Sequence, residues 1–228
     1  MSITKKIMVG VVLLVALFIM FFIRLYSSQG IGGDQVHYLV MTQSLLEDGD
    51  FDLKNDYQLK RYKTYYPDEL DAHIPPKQFS KGSPRLYSLH NPGLPILIAP
   101  FMKFFGYKST FVVMILIAFV TLLLAYQWSK KITKNPRASL IATIILFSSV
   151  FYLSLVGYIF PNLLTAALFL GALLILEKKD RSFWHIILLG FILGVGPWIH
   201  VKIMLSFATI GVIALVQIIL ANQKAWPR

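Results

Sequence analysis

Apolar residues make up 56% of this 228-residue chain and charged residues only 14%, with a mean hydropathy of +0.64; ordinary soluble domains carry about 25% charge, so a water-soluble globular fold is excluded. Lys and Arg outnumber Asp and Glu by 22 to 11, but they sit in the polar segments between apolar runs, a pattern of membrane orientation and not of nucleic-acid binding. The lack of cysteine removes disulfide frameworks and thiolate metal sites.

The first apolar run, Ile7 to Ile23, follows Lys5 and Lys6 and ends at Arg24. It exceeds the roughly 7–15 residues of a signal-peptide core and has no small-residue cleavage site, so an uncleaved first transmembrane helix is predicted over 7–26. Residues 27–108 are polar and rich in aromatics, too long for a plain connection, and are predicted to fold as one large extracytoplasmic loop. Inside it, Gly32-Gly33-Asp34 precedes Val36, Leu39, Val40 and Leu46 at helical spacing, which predicts an amphipathic helix laid on the membrane surface. Asp34 falls at its cap, His37 and Tyr38 lie one turn on, and Gly49 suits its stop.

Further along the loop, Asp48, Asp50 and Asp52 lack the spacing of a calcium loop and read as a solvated turn. Lys60, Arg61 and Lys63, interleaved with Tyr62, Tyr65 and Tyr66, read as a patch for lipid headgroups or an anionic acceptor. The apolar stretch Ile96 to Phe105 follows a proline-rich lead and is predicted as a short surface or re-entrant helix.

Five further spans are predicted within 109–222: Phe111 to Trp128, Ala138 to Phe160, Asn162 to Leu176, Phe183 to Val195 and Ile203 to Leu220. An amino terminus on the cytoplasmic side puts every short basic connection inside, including Lys130, Lys131, Lys134 and Arg137. The tight turns at Phe160-Pro161 and Pro197-Trp198 then fall outside. The fold class is therefore an all-α, polytopic membrane protein of about six transmembrane helices, a single membrane domain in the cytoplasmic membrane.

Four segments, Gly33-Asp34-Gln35-Val36-His37-Tyr38, His90-Asn91-Pro92-Gly93-Leu94-Pro95, Tyr158-Ile159-Phe160-Pro161-Asn162 and Pro197-Trp198-Ile199-His200-Val201-Lys202, follow one another in an order and topology that carries a resemblance. Together they resemble the membrane-embedded glycosyltransferases of the GT-C fold, the superfamily of protein mannosyltransferases and lipid A aminoarabinose transferases. The resemblance implies transfer of a sugar from a polyprenyl-phosphate donor to a hydroxyl of a lipid, glycan or protein acceptor, with Asp34 as the catalytic carboxylate. Many members carry Asp-Glu where this chain has Asp34-Gln35, and an acidic residue where it has Asn162. They also carry more spans, so the resemblance implies an amino-terminal portion of such an enzyme.

The predicted topology gathers Asp34, His37, His90, Asn162, His200 and Lys202 at the outer membrane boundary. Asp34 is the candidate general base, and the other five are candidates for binding substrate. Phosphate leaves as a stable anion, so one carboxylate suffices where a glycosidase needs two, and a single displacement inverts the anomeric centre. No metal ligand set or cofactor motif stands out. Structural roles compete at each position: a helix cap for Asp34, headgroup anchoring for Lys202, interfacial placement for His200, turn formation for His90. Two other function classes stay open, a transporter or flippase of lipid-linked substrates and a non-catalytic lipid-binding membrane subunit. Against transport, no span carries a central ionisable residue.

Overall fold

The computed structural model describes residues 3–26, 30–75, 84–178 and 180–225, and among them every regular element is helical. Parts of the predicted outer loop (27–29 and 76–83), Lys179 and the ends of the chain lie outside the described residues. Helix α1 spans Ile3–Tyr26. The loop region contributes α2 (Asp34–Glu47), a short α3 (Lys54–Gln58), a 3₁₀ turn (Arg61–Thr64) and α4 (Gly93–Phe105). The rest of the chain forms α5 (Lys108–Thr133), α6 (Pro136–Ser148), α7 (Val150–Leu155), α8 (Pro161–Leu176), α9 (Phe183–Ile199), a 3₁₀ turn (Val201–Ile203) and α10 (Met204–Ala225).

Two helical stretches, Lys108–Thr133 and Val201–Leu220, are long and apolar enough to cross a membrane. The stretch expected as one span over Ala138 to Phe160 is divided. Ser149 leaves the helical conformation (φ −71°, ψ 140°), donates its hydroxyl to the Leu146 carbonyl at 2.7 Å and accepts from the Tyr152 amide at 3.2 Å. One serine thus closes α6 and opens α7. Gly157, at φ 71°, then turns the chain toward Pro161, which occupies the first turn of α8 without an amide to satisfy. The turn expected at Pro197-Trp198 lies later, because α9 runs through Pro197 to Ile199 and the chain reverses at His200.

Helix α5 is the hub, packing chiefly against α8 and α6 and also touching α4 and α1. Thr121 ties it to α8 by donating to the Leu163 carbonyl at 3.1 Å, and the Tyr152 hydroxyl donates to the Ala118 carbonyl. Between α1 and α5 an apolar groove of about 320 Å³ is lined by Leu17, Phe18, Phe21, Ile115 and Leu116.

The outer loop departs from expectation in two respects. Helix α2 does not lie on a surface: every residue from Gln35 to Ser44 is buried. Its periodic apolar positions pack with Leu53, Tyr62 and Tyr65 on one side and with Leu94, Ile98, Met114 and Ile159 on another, so the polar positions between them are enclosed too. The basic cluster, in turn, is neutralised from within. Arg61 pairs with Glu47 at 3.0 Å, with Asp48 and with the fully buried Asp56 at 3.1 Å, while Lys60 and Lys63 both reach Glu69. The charges expected to face headgroups hold α2, α3 and the following turn together.

Asp50 and Asp52 organise the acidic turn. Asp50 accepts from the Asp52 amide at 2.9 Å, and Asp52 accepts from the Leu86 amide at 2.8 Å, which fixes the segment leading to His90.

Candidate functional site

The start of α2 sets the site. Gly33, with φ 56° and ψ −142°, is the N-cap, in a conformation that favours glycine. Asp34 is therefore the first helical residue and not the cap that was expected, and among the described residues no backbone amide donates to its carboxylate. Its carboxylate instead faces two rings. Asp34 Oδ1 lies 3.6 Å from His73 Nδ1 and 3.7 Å from His90 Nε2, and those two nitrogens are 3.1 Å apart. A bond from the Leu89 amide to the His73 carbonyl, 3.0 Å long, lays the two histidine-bearing segments side by side.

His37, one turn along α2, completes a wall of imidazoles. Its Nδ1 is 2.9 Å from the Tyr57 hydroxyl, and its ring centre lies 5.1 Å from His73 and 5.9 Å from His90. Tyr38 packs its ring 4.7 Å from that of His90.

Burial and nearby positive charge favour the neutral form of His37, His90 and His200. His37 is lowered to about 4, mainly by burial and then by His73 and His90, with Asp34 opposing. His90 is also lowered, first by burial, with His73 and His200 adding and Asp34 opposing. His200 is lowered by burial and by Lys202. Tyr38 is raised to about 12 by burial and by Asp34, so it stays a neutral donor.

All four segments that carried the resemblance meet here. Asn91 donates to the Pro197 carbonyl at 3.3 Å and accepts from the Val201 amide at 3.4 Å. Gly93 sits so close to the end of α9 that a Cβ would stand 2.6 Å from the Trp198 carbonyl oxygen, so no larger residue fits without moving backbone. Gln35, fully buried, accepts from the Ile159 amide at 3.2 Å and donates to the Gly32 carbonyl at 3.3 Å. That pairing needs an amide, since a carboxylate accepts but does not donate. The residue that replaces the resembled family's second acid is therefore a structural tie.

Of the predicted site residues, Asp34, His37 and His90 come together and His200 lies within electrostatic reach of His90. Lys202 is exposed in the 3₁₀ turn beside His200, and among the described residues it forms no ion pair with Asp34. Asn162 is exposed on the first turn of α8, and no hydrogen bond joins its side chain to the cluster among the described residues. Sequence reasoning missed His73, Tyr57 and the bridging role of Asn91. His73 belongs to no periodic pattern. The available signal was the count: four of the chain's 5 histidines, His37, His73, His90 and His200, fall in the long polar region after the first apolar run or in the turn before the last one.

Nor was a ligand set legible, yet Asp34, His73 and His90 each offer a donor atom, all within 4.8 Å of one another. The arrangement presents a partly exposed carboxylate beside two imidazoles, at one end of a set of apolar helices. Comparison with family models, with curated proteins and with solved structures finds no match to this chain.

Proposed function

We propose that the chain is the amino-terminal part of a membrane glycosyltransferase that moves a sugar from a polyprenyl-phosphate donor to an acceptor hydroxyl on the extracytoplasmic side. The observation that carries this reading is the convergence of four distant segments on Asp34, through the Gln35–Ile159, Asn91–Pro197 and Asn91–Val201 hydrogen bonds. A site for a lipid-linked sugar needs polar chemistry at the end of apolar helices, and this cluster has that placement. A transport pathway would instead carry its ionisable groups within the spans. Six spans with the amino terminus inside, α6 and α7 together making the third, put Asp34, His90 and His200 at the outer boundary.

In the reaction, the acceptor oxygen forms a bond to the anomeric carbon while the bond from that carbon to the phosphate oxygen breaks. The electron pair leaves with the phosphate, and Asp34 takes the hydroxyl proton. The Asp34 side chain is 41% exposed, which leaves room for a hydroxyl to approach. Lys202 supplies positive charge near the departing phosphate.

The test is transfer from a labelled polyprenyl-phosphate sugar by wild type and Asp34→Asn, with donor binding measured on the same samples and any remaining reading frame included. Because Gly33, and not Asp34, occupies the cap position, loss of a cap does not account for a defect. Transfer is expected to fall by about 10²–10⁴-fold with donor binding intact. Wild-type transfer by the asparagine variant removes Asp34 from the mechanism.

A further inference from the structure

We infer that Asp34, His73 and His90 form a binding site for a divalent transition-metal ion, with zinc the ion their chemistry fits best. The three residues each offer one donor atom, and these atoms all lie within 4.8 Å of one another. At 3.6 and 3.7 Å, Asp34 Oδ1 is too far from either ring nitrogen for a hydrogen bond, and the contacts are ion pairs only where a ring carries a proton on that side. A proton shared between His73 Nδ1 and His90 Nε2, 3.1 Å apart, would satisfy that pair and leave the carboxylate outside. A cation satisfies all three. The nearest point equidistant from the three atoms, in their own plane, lies about 2.0 Å from each, which is the length of zinc bonds to imidazole nitrogen and carboxylate oxygen. The atoms therefore need draw together only slightly to set an ion out of that plane in tetrahedral geometry.

The donor set then selects the ion. Two imidazoles and one carboxylate suit zinc and neighbouring first-row metals, whereas magnesium and calcium prefer oxygen ligands throughout. The surroundings hold one ligand ring in place: His90 is half-buried, and His37 and Tyr38 pack against it. Tetrahedral zinc held by three protein atoms keeps a fourth position, and the exposure of Asp34 and His73 opens that position to solvent or to an anionic oxygen. The site stands whether or not the chain transfers sugars. Only its use, as positive charge for a phosphate oxygen, rests on the transfer reading, in which Asp34 holds the ion through Oδ1 and takes the acceptor proton on its other oxygen.

The experiment is metal analysis of the purified full chain in detergent, stripped with chelator and reloaded with Zn²⁺ or Co²⁺. One Zn²⁺ per chain is expected to remain after removal of free metal, undisturbed by excess Mg²⁺, and Co²⁺ is expected to give the visible absorption of a four-coordinate ion. His73→Ala and His90→Ala should each weaken binding by at least about 100-fold, beyond what loss of an outer-shell partner costs. His185→Ala, whose ring bonds Ser182 at the start of α9, should bind as wild type does. Because the chain has no cysteine, His73→Cys adds a specific marker: its cobalt form should show a near-ultraviolet thiolate-to-metal band. Wild type that retains no Zn²⁺, alanine variants that retain it, or a cysteine variant that binds Co²⁺ without that band each overturn the site. Circular dichroism on every variant separates lost ligands from lost fold.

Discussion

The end of the molecule around α2 and the pair α9–α10 are built on opposite principles. Around α2 the interior is partly polar: Gln35, His37, Thr42, Gln43, Ser44 and Asp56 are buried, and side-chain hydrogen bonds and ion pairs join α2, α3 and the turn at Arg61. In α9 and α10 nearly every side chain is apolar, yet many face outward, with Leu205 79% exposed and Phe183 and Trp184 close behind. Apolar content therefore does not tell what is inside this protein. One end is closed on itself by specific bonds, while the other presents a continuous apolar surface that needs an apolar environment. The histidine cluster sits where the two meet.

The comparison is broken most directly at Arg61. If the polar end holds itself together through buried charge, Arg61→Ala strands the Asp56 carboxylate, which has no solvent exposure. The expected loss is about 3–5 kcal/mol of stability in that region, since removing one member of a buried pair leaves an uncompensated charge. Adding Asp56→Asn to the same chain should restore much of it. Unfolding monitored by tyrosine fluorescence, or amide exchange across α2, reads the effect. A single variant as stable as wild type would mean that the network is surface decoration.

This network also shows where sequence reading stops. The helices were legible because apolar runs and their charged ends are local signals: α5, α8 and α10 begin and end close to their expected limits. The break at Ser149 was not, because a serine inside an apolar run reads as neutral until its two backbone bonds are seen. Arg61 was read as free basic charge because its partners Glu47, Asp48 and Asp56 come from other segments, and pairing across a fold leaves no pattern along the chain. Asp34, His37 and His90 were legible as chemistry in the long polar region after the first apolar run. His73 was invisible because only the strap running beside residues 88–90 brings it to Asp34.

The apolar half is tested at Phe151, which is 86% exposed and lies near the middle of the α6–α7 stretch. If that face meets lipid, Phe151→Asp places a charge where it costs about 2.5–3.5 kcal/mol on insertion scales, and membrane-integrated protein should fall accordingly. Phe151→Ala should stay within about 0.5 kcal/mol of wild type, because little packing is lost. Carbonate extraction of membranes followed by quantification of both variants distinguishes them. Equal recovery of the aspartate and alanine forms would indicate that the face meets water or another protein surface.

The smallest effect sharpens the polar half through its pH dependence, because two carboxylates sharing Arg61 titrate in opposite directions. Hydrogen bonding from Arg61, opposed by desolvation and helped by Asn55, holds Asp48 below its ordinary value of 3.8. Burial pushes Asp56 above the same value, and Arg61 only partly offsets that. As pH falls from neutrality, the folded chain protonates Asp56 before the unfolded chain does, so this group adds stability until pH approaches 3.8. Below 3.8 the sign reverses at Asp48. The unfolded carboxylate takes its proton first, and the contribution of the Arg61 pair, complete above that pH, is lost as pH drops through the lowered folded value. Asp48→Asn removes the second process and leaves the first. Thermal unfolding followed by circular dichroism between pH 6 and 3 should therefore show a shallower acid decline in the asparagine variant, with the rise on its neutral side preserved. An equally steep decline in both proteins would place acid sensitivity outside the Arg61 network, and the polar end would owe its closure to the Leu39, Tyr62 and Met114 core instead.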